Sequence, residues 1–431
     1  MLQLIVGYIL THSQRLWFAL TVIAYSTSSL LLCQELEIVD KLSLKTAVSE
    51  ALEKNPQITA VKWRIEEEKG ILWQARSLEK PEIFTEYEGV KGSGLTNYEN
   101  RKLGVSQSFE FPTNIYFRSN AQSNIVQSTG AVYRAVVLDI SASVRIAYYR
   151  AWLSGEVVGL TKKNMELSQE FLTKAEIRFK SGESTRLEYL TAKTEKGKAE
   201  SSLAKAENER AVAYTALNAL MGYDKGHEWL LTDSLVFSNF FHQEFDLEQL
   251  LSRTGNHPLS QSADFEARSA QSLMRLSYGS FLPDISFGAY RQKFGDVQSK
   301  FWGFNLSASF PLWFFLDQKG KIQQARARFQ IAEQEKIKTK IFLNAEVKSA
   351  WIDYKNARQQ LILHRDQLLP QAQETYQAAR TSYDSGEAGY LQLLEAQKLL
   401  IETRAEYLES LFAIYSATAN LERVTGITLQ P

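Results

Sequence analysis

The chain has 431 residues with 49 Lys+Arg against 49 Asp+Glu, so it is formally neutral and lacks the basic signature of a nucleic-acid partner. Its single cysteine excludes a disulfide framework within the chain and any cysteine-built zinc site. The five histidines (His12, His227, His242, His257, His364) are scattered without metal spacing, and no nucleophile elbow, phosphate loop or dinucleotide fingerprint is present. An enzyme, a cofactor and a bound metal are therefore not expected.

The first predicted element is an export signal over 1–33. Arg15 is followed by "LWFALTVIAYSTSSLLLC", an apolar core running into small residues, with cleavage expected between Ser28 and Gln34. The uncharged run also has the length of a signal anchor that stays in a membrane. Leu32 stands before Cys33 where a lipobox wants a small residue, so lipidation of Cys33 is not expected. No later segment approaches an apolar 18-mer, so any further crossing must be made by strands.

From residue 43 the chain is written twice, over 43–223 and 246–427, with a linker at 224–245. Three proline pairs trace the duplication at an offset of about 200 residues: Pro56 with Pro258, Pro81 with Pro283, Pro112 with Pro311. Gly182 matches Gly386, and Gly222 matches Gly426. Each copy opens with helical periodicity, as in "LSLKTAVSEALEKNP". After Pro81 and Pro283 the period changes to two. In "WGFNLSASF" the apolar Trp302, Phe304, Leu306, Ala308 and Phe310 alternate with Gly303, Asn305, Ser307 and Ser309. The pattern predicts one β-hairpin per copy, over about 82–112 and 284–311. A soluble half-buried sheet and a transmembrane barrel both read this way. The export signal and the long helices alongside favour the barrel, with Trp302, Phe304, Leu306 and Phe310 towards lipid. Four strands cannot close such a barrel alone, so more than one copy of the chain is needed.

Between Asn114 and Lys180 there is no proline, which predicts a helix of about 65 residues and about 100 Å. In the matching stretch, Leu369, Ala372, Tyr376, Ala379 and Tyr383 follow a coiled-coil spacing, and Pro370 marks a bend or an existing irregularity. The chain then turns at "SGE", starting at Ser181 and again at Ser385, and returns along a helix ended by Gly222 or Gly426.

Signal, helix, hairpin, very long helix, glycine turn and return helix, all duplicated, resemble the TolC family of outer-membrane efflux proteins. The most specific stretch is "LLPQAQETYQAARTSYDSGEAGYLQLLEAQKLLIETRAEYLESLFAIYSATANLERVTG", which is similar to the C-terminal signature of the CusC-like and CzcC-like branch. The resemblance implies an α+β membrane protein: a homotrimer whose 12-strand outer-membrane β-barrel continues into a periplasmic α-barrel of coiled-coil hairpins. It implies a passive conduit in the outer membrane of a Gram-negative bacterium, in contact with outer-membrane lipid. Its partners would be a periplasmic adaptor (a membrane fusion protein) and an inner-membrane pump of the RND type, with heavy-metal cations or drugs as cargo. The two tips become the adaptor-docking end, carried by Arg178, Gly182, Glu183, Leu187 and Leu190, and by Gly386, Glu387, Leu391 and Leu394. Lys180 and Asp384 hold equivalent places and differ in charge, which makes them candidate gate residues, as an acidic ring or as a closing salt bridge. Two other readings stay open: a signal-anchored coiled-coil scaffold without a channel, and the outer-membrane component of a type I protein secretion system.

Overall fold

The computed structural model describes residues 40–92, 98–224, 226–242, 244–294, 300–310 and 316–429. The export-signal segment 1–33, with Cys33, lies outside the described residues. Strand β1 (Asp40–Leu42) pairs in parallel with β4 (Trp229–Leu231), and these two strands belong to one small unit. The remaining elements form the second unit.

In that unit α1 (Leu44–Lys54) starts at Ser43, whose Oγ accepts the N–H of Thr46. Asn55 then caps α2 (Pro56–Arg76), with proline at a position that needs no N–H. Strands β2 (Glu82–Glu88) and β3 (Asn100–Phe109) follow, then α3 (Pro112–Lys180) and its return helix α4 (Arg186–Met221). The order recurs as α5 (Leu247–Arg253), α6 (Pro258–Gly279), β5 (Asp284–Phe294), β6 (Lys300–Ser309) and α7 (Asp317–Leu363). Helices α8 (Leu369–Asp384) and α9 (Tyr390–Thr425) complete it. Helix α3 has 69 residues, about 100 Å at ~1.5 Å each. Both return helices stop on left-handed glycines, Gly222 at φ 84° and Gly426 at φ 68°.

Small side chains set how closely the first pair of long helices packs. On α4 the buried residues Ala192, Ala199, Ala206 and Ala213 recur once per heptad, so this seam is an alanine ridge that lets α3 approach. The second pair uses larger groups: Val347, Tyr354, Leu361, Leu411, Ile414 and Leu421 share one buried cluster. The irregularity expected at Pro370 is a π-turn over His364–Leu368, where the N–H of Leu369 bonds to the carbonyl of His364. Widening the helix there eases the clash of the proline ring with the carbonyl four residues earlier.

The two hairpins join into one antiparallel sheet of order β2-β3-β5-β6, a pairing the sequence reading left undrawn. Register fixes the faces. Ile83, Val105, Ala289 and Phe304 form one cross-strand row, and Phe287 opposite Leu306 belongs to the next row on the same face. The other face carries the row Phe84, Gly104, Tyr290 and Gly303. There Gly104 is sterically required, since a Cβ on it would lie 2.6 Å from Tyr290 Cβ and 2.7 Å from the Ala289 carbonyl oxygen, while a Cβ at Gly303 would press on the Tyr290 ring, 2.4 Å from Cζ.

Candidate functional site

The two tips are built by the same local chemistry. At the end of α3 the N–H of Glu183 reaches the carbonyl of Arg178 (2.8 Å) and that of Gly182 reaches Phe179 (3.2 Å). At the end of α8 the N–H of Glu387 reaches Ser382 (2.9 Å) and that of Gly386 reaches Tyr383 (3.1 Å). This double bond pattern needs a left-handed residue, which Gly182 (φ 79°) and Gly386 (φ 81°) supply. The way back differs. Thr185 Oγ1 accepts the N–H of Glu188 to cap α4, whereas Gly389 has no side chain with which to cap α9.

Around the turns the candidate docking residues separate into two groups. Glu183, Leu187, Leu190, Glu387 and Leu391 are exposed, and Arg178 is half-buried. Leu394 is buried, packed with Phe171, Ala175, Ala192, Tyr376 and Tyr390 where the two hairpins meet. Its place is between the hairpins, so it offers no outward surface. Lys180 and Asp384 do not meet within the protomer. Lys180 Nζ pairs with Glu176 (2.7 Å) and Asp384 with Arg380 (3.9 Å), each on its own helix.

The contacts that cross from one hairpin to the other lie elsewhere, and the sequence reading did not name them as a site. Arg178 Nη1 donates to Tyr383 Oη at 3.2 Å and stands 3.9 Å from Glu188. Lys398 of α9 reaches Glu195 of α4 at 3.0 Å, and Lys198 joins the same carboxylate at 3.1 Å. Burial alone pushes the Glu195 carboxyl up, yet the two ammonium groups together reverse this and hold it below its ordinary value. Burial, with Glu195 and Tyr383 adding to it, pushes the Tyr390 hydroxyl up to about 12. The one available signal was Tyr383, which ends the coiled-coil series of α8; its hydroxyl, at the apolar seam's last place, needs a partner.

At the opposite end, the sheet presents two unlike faces. Trp302 (72 % exposed), Phe304, Leu306 and Phe310 stand out on one side with Ile83, Val105, Ile285 and Phe287. The reverse side holds Ser106, Ser108, Asn305, Ser307 and an ion cluster in which Lys102 reaches Glu88 (2.6 Å) and Glu86 (3.4 Å). Both outer strands, β2 and β6, have a free edge among the described residues. No helix among the described residues is long and apolar enough to cross a membrane, and none of them forms a His/Cys/Asp/Glu group able to hold a metal.

The chain thus joins an open-edged four-stranded sheet with one apolar face to long helical hairpins with glycine tips. The family model for outer membrane efflux proteins matches residues 47–223 and again 252–427, and the chain belongs to that family. It is an efflux channel component of the outer membrane. The chain is 24% identical over 405 residues to the cobalt-zinc-cadmium resistance protein CzcC of Cupriavidus metallidurans, covering 90% of this chain and 91% of that one. With the cation efflux system protein CusC of Escherichia coli it shares 24% over 393 residues, 86% of this chain and 83% of the other. The fold matches the crystal structure of the Campylobacter jejuni CmeC outer membrane channel at a TM-score of 0.76 and 17% identity, over 89% and 85% of the two chains.

Proposed function

We propose that three copies of the chain close a 12-strand barrel, each free β6 edge pairing with the β2 edge of the next copy, and that the trimer is a passive conduit of a tripartite efflux system. One observation carries this reading: a four-stranded sheet with two free edges and an exposed apolar face has no stable place in water. In the trimer the face of Leu306 meets hydrocarbon and that of Ser307 lines the lumen. The tandem units over 43–223 and 246–427 place six similar tips at the far end, in the periplasm of a Gram-negative cell. There Leu187, Leu190 and Leu391, with Glu183 and Glu387, form the surface for a periplasmic adaptor, and an RND-type pump feeds the conduit. The Lys180–Glu176 and Asp384–Arg380 pairs ring the mouth, and the Arg178–Tyr383 bond latches it closed. Heavy-metal cations are the proposed cargo, supported by the names of CzcC and CusC. The test is the mass of detergent-extracted protein, its heat-sensitive mobility and its conductance in planar bilayers. A monomer released without detergent, or a trimer that never conducts, overturns the reading. Growth of a deletion strain on cobalt, zinc or cadmium salts against drugs tests the cargo.

A further inference from the structure

The apolar face of the sheet ends in a row of like charges. Arg101 pairs across β3–β5 with Lys293, and Lys293 pairs across β5–β6 with Lys300, so three cations occupy one row on the side of Leu306. All three are exposed. Directly opposed like charges repel. Among the described residues no carboxylate is paired with them, and the acidic groups described at this end are engaged elsewhere. Glu86 and Glu88 hold Lys102 on the reverse face, and Glu99 pairs with Lys91 at 3.0 Å.

Tyr87 stands at the β2 end of the same row, opposite Arg101. One row inward come Leu103, Arg291 and Trp302, with the Arg291 guanidinium 6.0 Å from the Trp302 ring centre. From Lys300 to Phe310 the strand advances about 33 Å, which at a barrel tilt of 35–45° is roughly 25 Å of height. That is the height of a lipid-facing apolar band, so the cationic row lies at its rim, where head groups begin and where Trp and Tyr gather. It lies at the hairpin-tip end, away from the long helices, and hence towards the outer leaflet in the proposed orientation.

We propose that Arg101, Lys293 and Lys300 form a binding site for the phosphate groups of the outer-leaflet glycolipid, of the lipid A class. The inference rests on the membrane-barrel reading above and adds a ligand to it. Phosphates lying against the row cancel its repulsion and tie the barrel to one leaflet, and Arg101 can offer a bidentate fork. Trp302 and Tyr87 fix the depth, so that the row meets phosphate rather than acyl chain.

The experiment uses the full trimer in neutral detergent and fluorescent lipid A, with its dephosphorylated form and inorganic phosphate as further probes. The variant carries Arg101→Gln, Lys293→Gln and Lys300→Gln; a charge-matched control carries Lys69→Gln, Lys205→Gln and Lys338→Gln on the helices. At a factor of about five for each lost head-group contact, the row variant should bind lipid A about 100-fold more weakly than the parent, the control unchanged. Equal binding by parent and row variant overturns the site. So does equal affinity of the parent for the dephosphorylated lipid, or displacement by millimolar inorganic phosphate, which would make it a free-anion site. Conductance in a zwitterionic planar bilayer separates the two levels: parent and row variant should both conduct, and a parent that never inserts overturns the barrel reading itself.

Discussion

Leu306→Arg tests the assignment of the two sheet faces most directly. Leu306 sits midway along the outward series from Trp302 to Phe310 and is 77 % exposed in the protomer. Those eight steps span about 27 Å along the strand, or about 20 Å of height at barrel tilt, so position 306 is about 10 Å from either end of the series. A guanidinium there snorkels poorly to either interface, and the cost is about 2–4 kcal/mol per chain near the bilayer midplane. Three copies lose about 6–12 kcal/mol, comparable to the whole stability of an ordinary domain. Ser307→Arg is the matched control one residue away. Its cross-strand neighbour is Ser286, itself opposite Ser108, so the row is made of small polar groups and has room for a long side chain. The assay is refolding into lipid vesicles, scored as heat-sensitive trimer, with single-channel conductance of whatever inserts. Leu306→Arg should abolish trimer, while Ser307→Arg should assemble and conduct less. Assembly of the first with failure of the second would show that the faces are reversed, because a one-residue slip exchanges every side chain between them.

At the tips, Leu394→Ala should cost about 2–5 kcal/mol of stability by chemical denaturation, since it empties a buried place between the hairpins. Leu391→Ala, exposed, should leave stability within about 0.5 kcal/mol and weaken adaptor binding in a pull-down titration. The Glu195 carboxyl is held below its ordinary 4.5, so its stabilising link to Lys398 is complete above pH 4.5 and lost as pH falls below it. Hydrogen exchange of the tips should thus match at pH 7 and 5.5 after correction for intrinsic rates, and loosen at pH 3.5 in the parent more than in Glu195→Gln. Removing the proposed latch with Arg178→Ala or Tyr383→Phe should raise single-channel conductance, and Lys180→Ala should not, because the ion pair Lys180 makes is with Glu176 of its own helix.

How much of this was legible follows from the range of each interaction. The alternation around Leu306 and the glycines at the tips are local: a period of two and a left-handed φ each leave a direct mark on the residues involved. The alanine heptad Ala192–Ala199–Ala206–Ala213 was equally present in the letters, yet alanine is common on any helix face and only the neighbour α3 gives the ridge its meaning. Arg178 was selected as a tip residue, but its partner Tyr383 lies 205 positions away and no spacing rule joins them. Likewise each hairpin could be read, while the β3–β5 pairing that fuses them depends on a register between distant strands. The burial of Leu394 was out of reach for a related reason. Leu391 and Leu394 are one turn apart, and their separation into exposed and buried is decided by the hairpin packed against them.

The two tips are alike in turn and unlike in strength, and the difference bears on which of them moves. In the first, Glu176 precedes Lys180 by four residues and the base sits at the helix C-terminus, the favourable order for both the pair and the helix dipole. In the second the order is reversed: Arg380 precedes Asp384, and an acid occupies the negative end of the helix, with a longer contact of 3.9 Å. Thr185 caps the return helix of the first hairpin and nothing from a side chain caps that of the second. Helix α8 is only 16 residues long, because the π-turn ending at Leu368 interrupts the helix above it. Every one of these local terms makes the first hairpin the stiffer strut and the second the one that shifts at lower cost. The described contacts tying the second to the first near its tip include the Arg178–Tyr383 bond, the Lys398–Glu195 pair, the Gln397–Asn164 bond and the cluster around Leu394. If the proposed mouth is closed by these links, a partner that competes for them would open it without unfolding either helix.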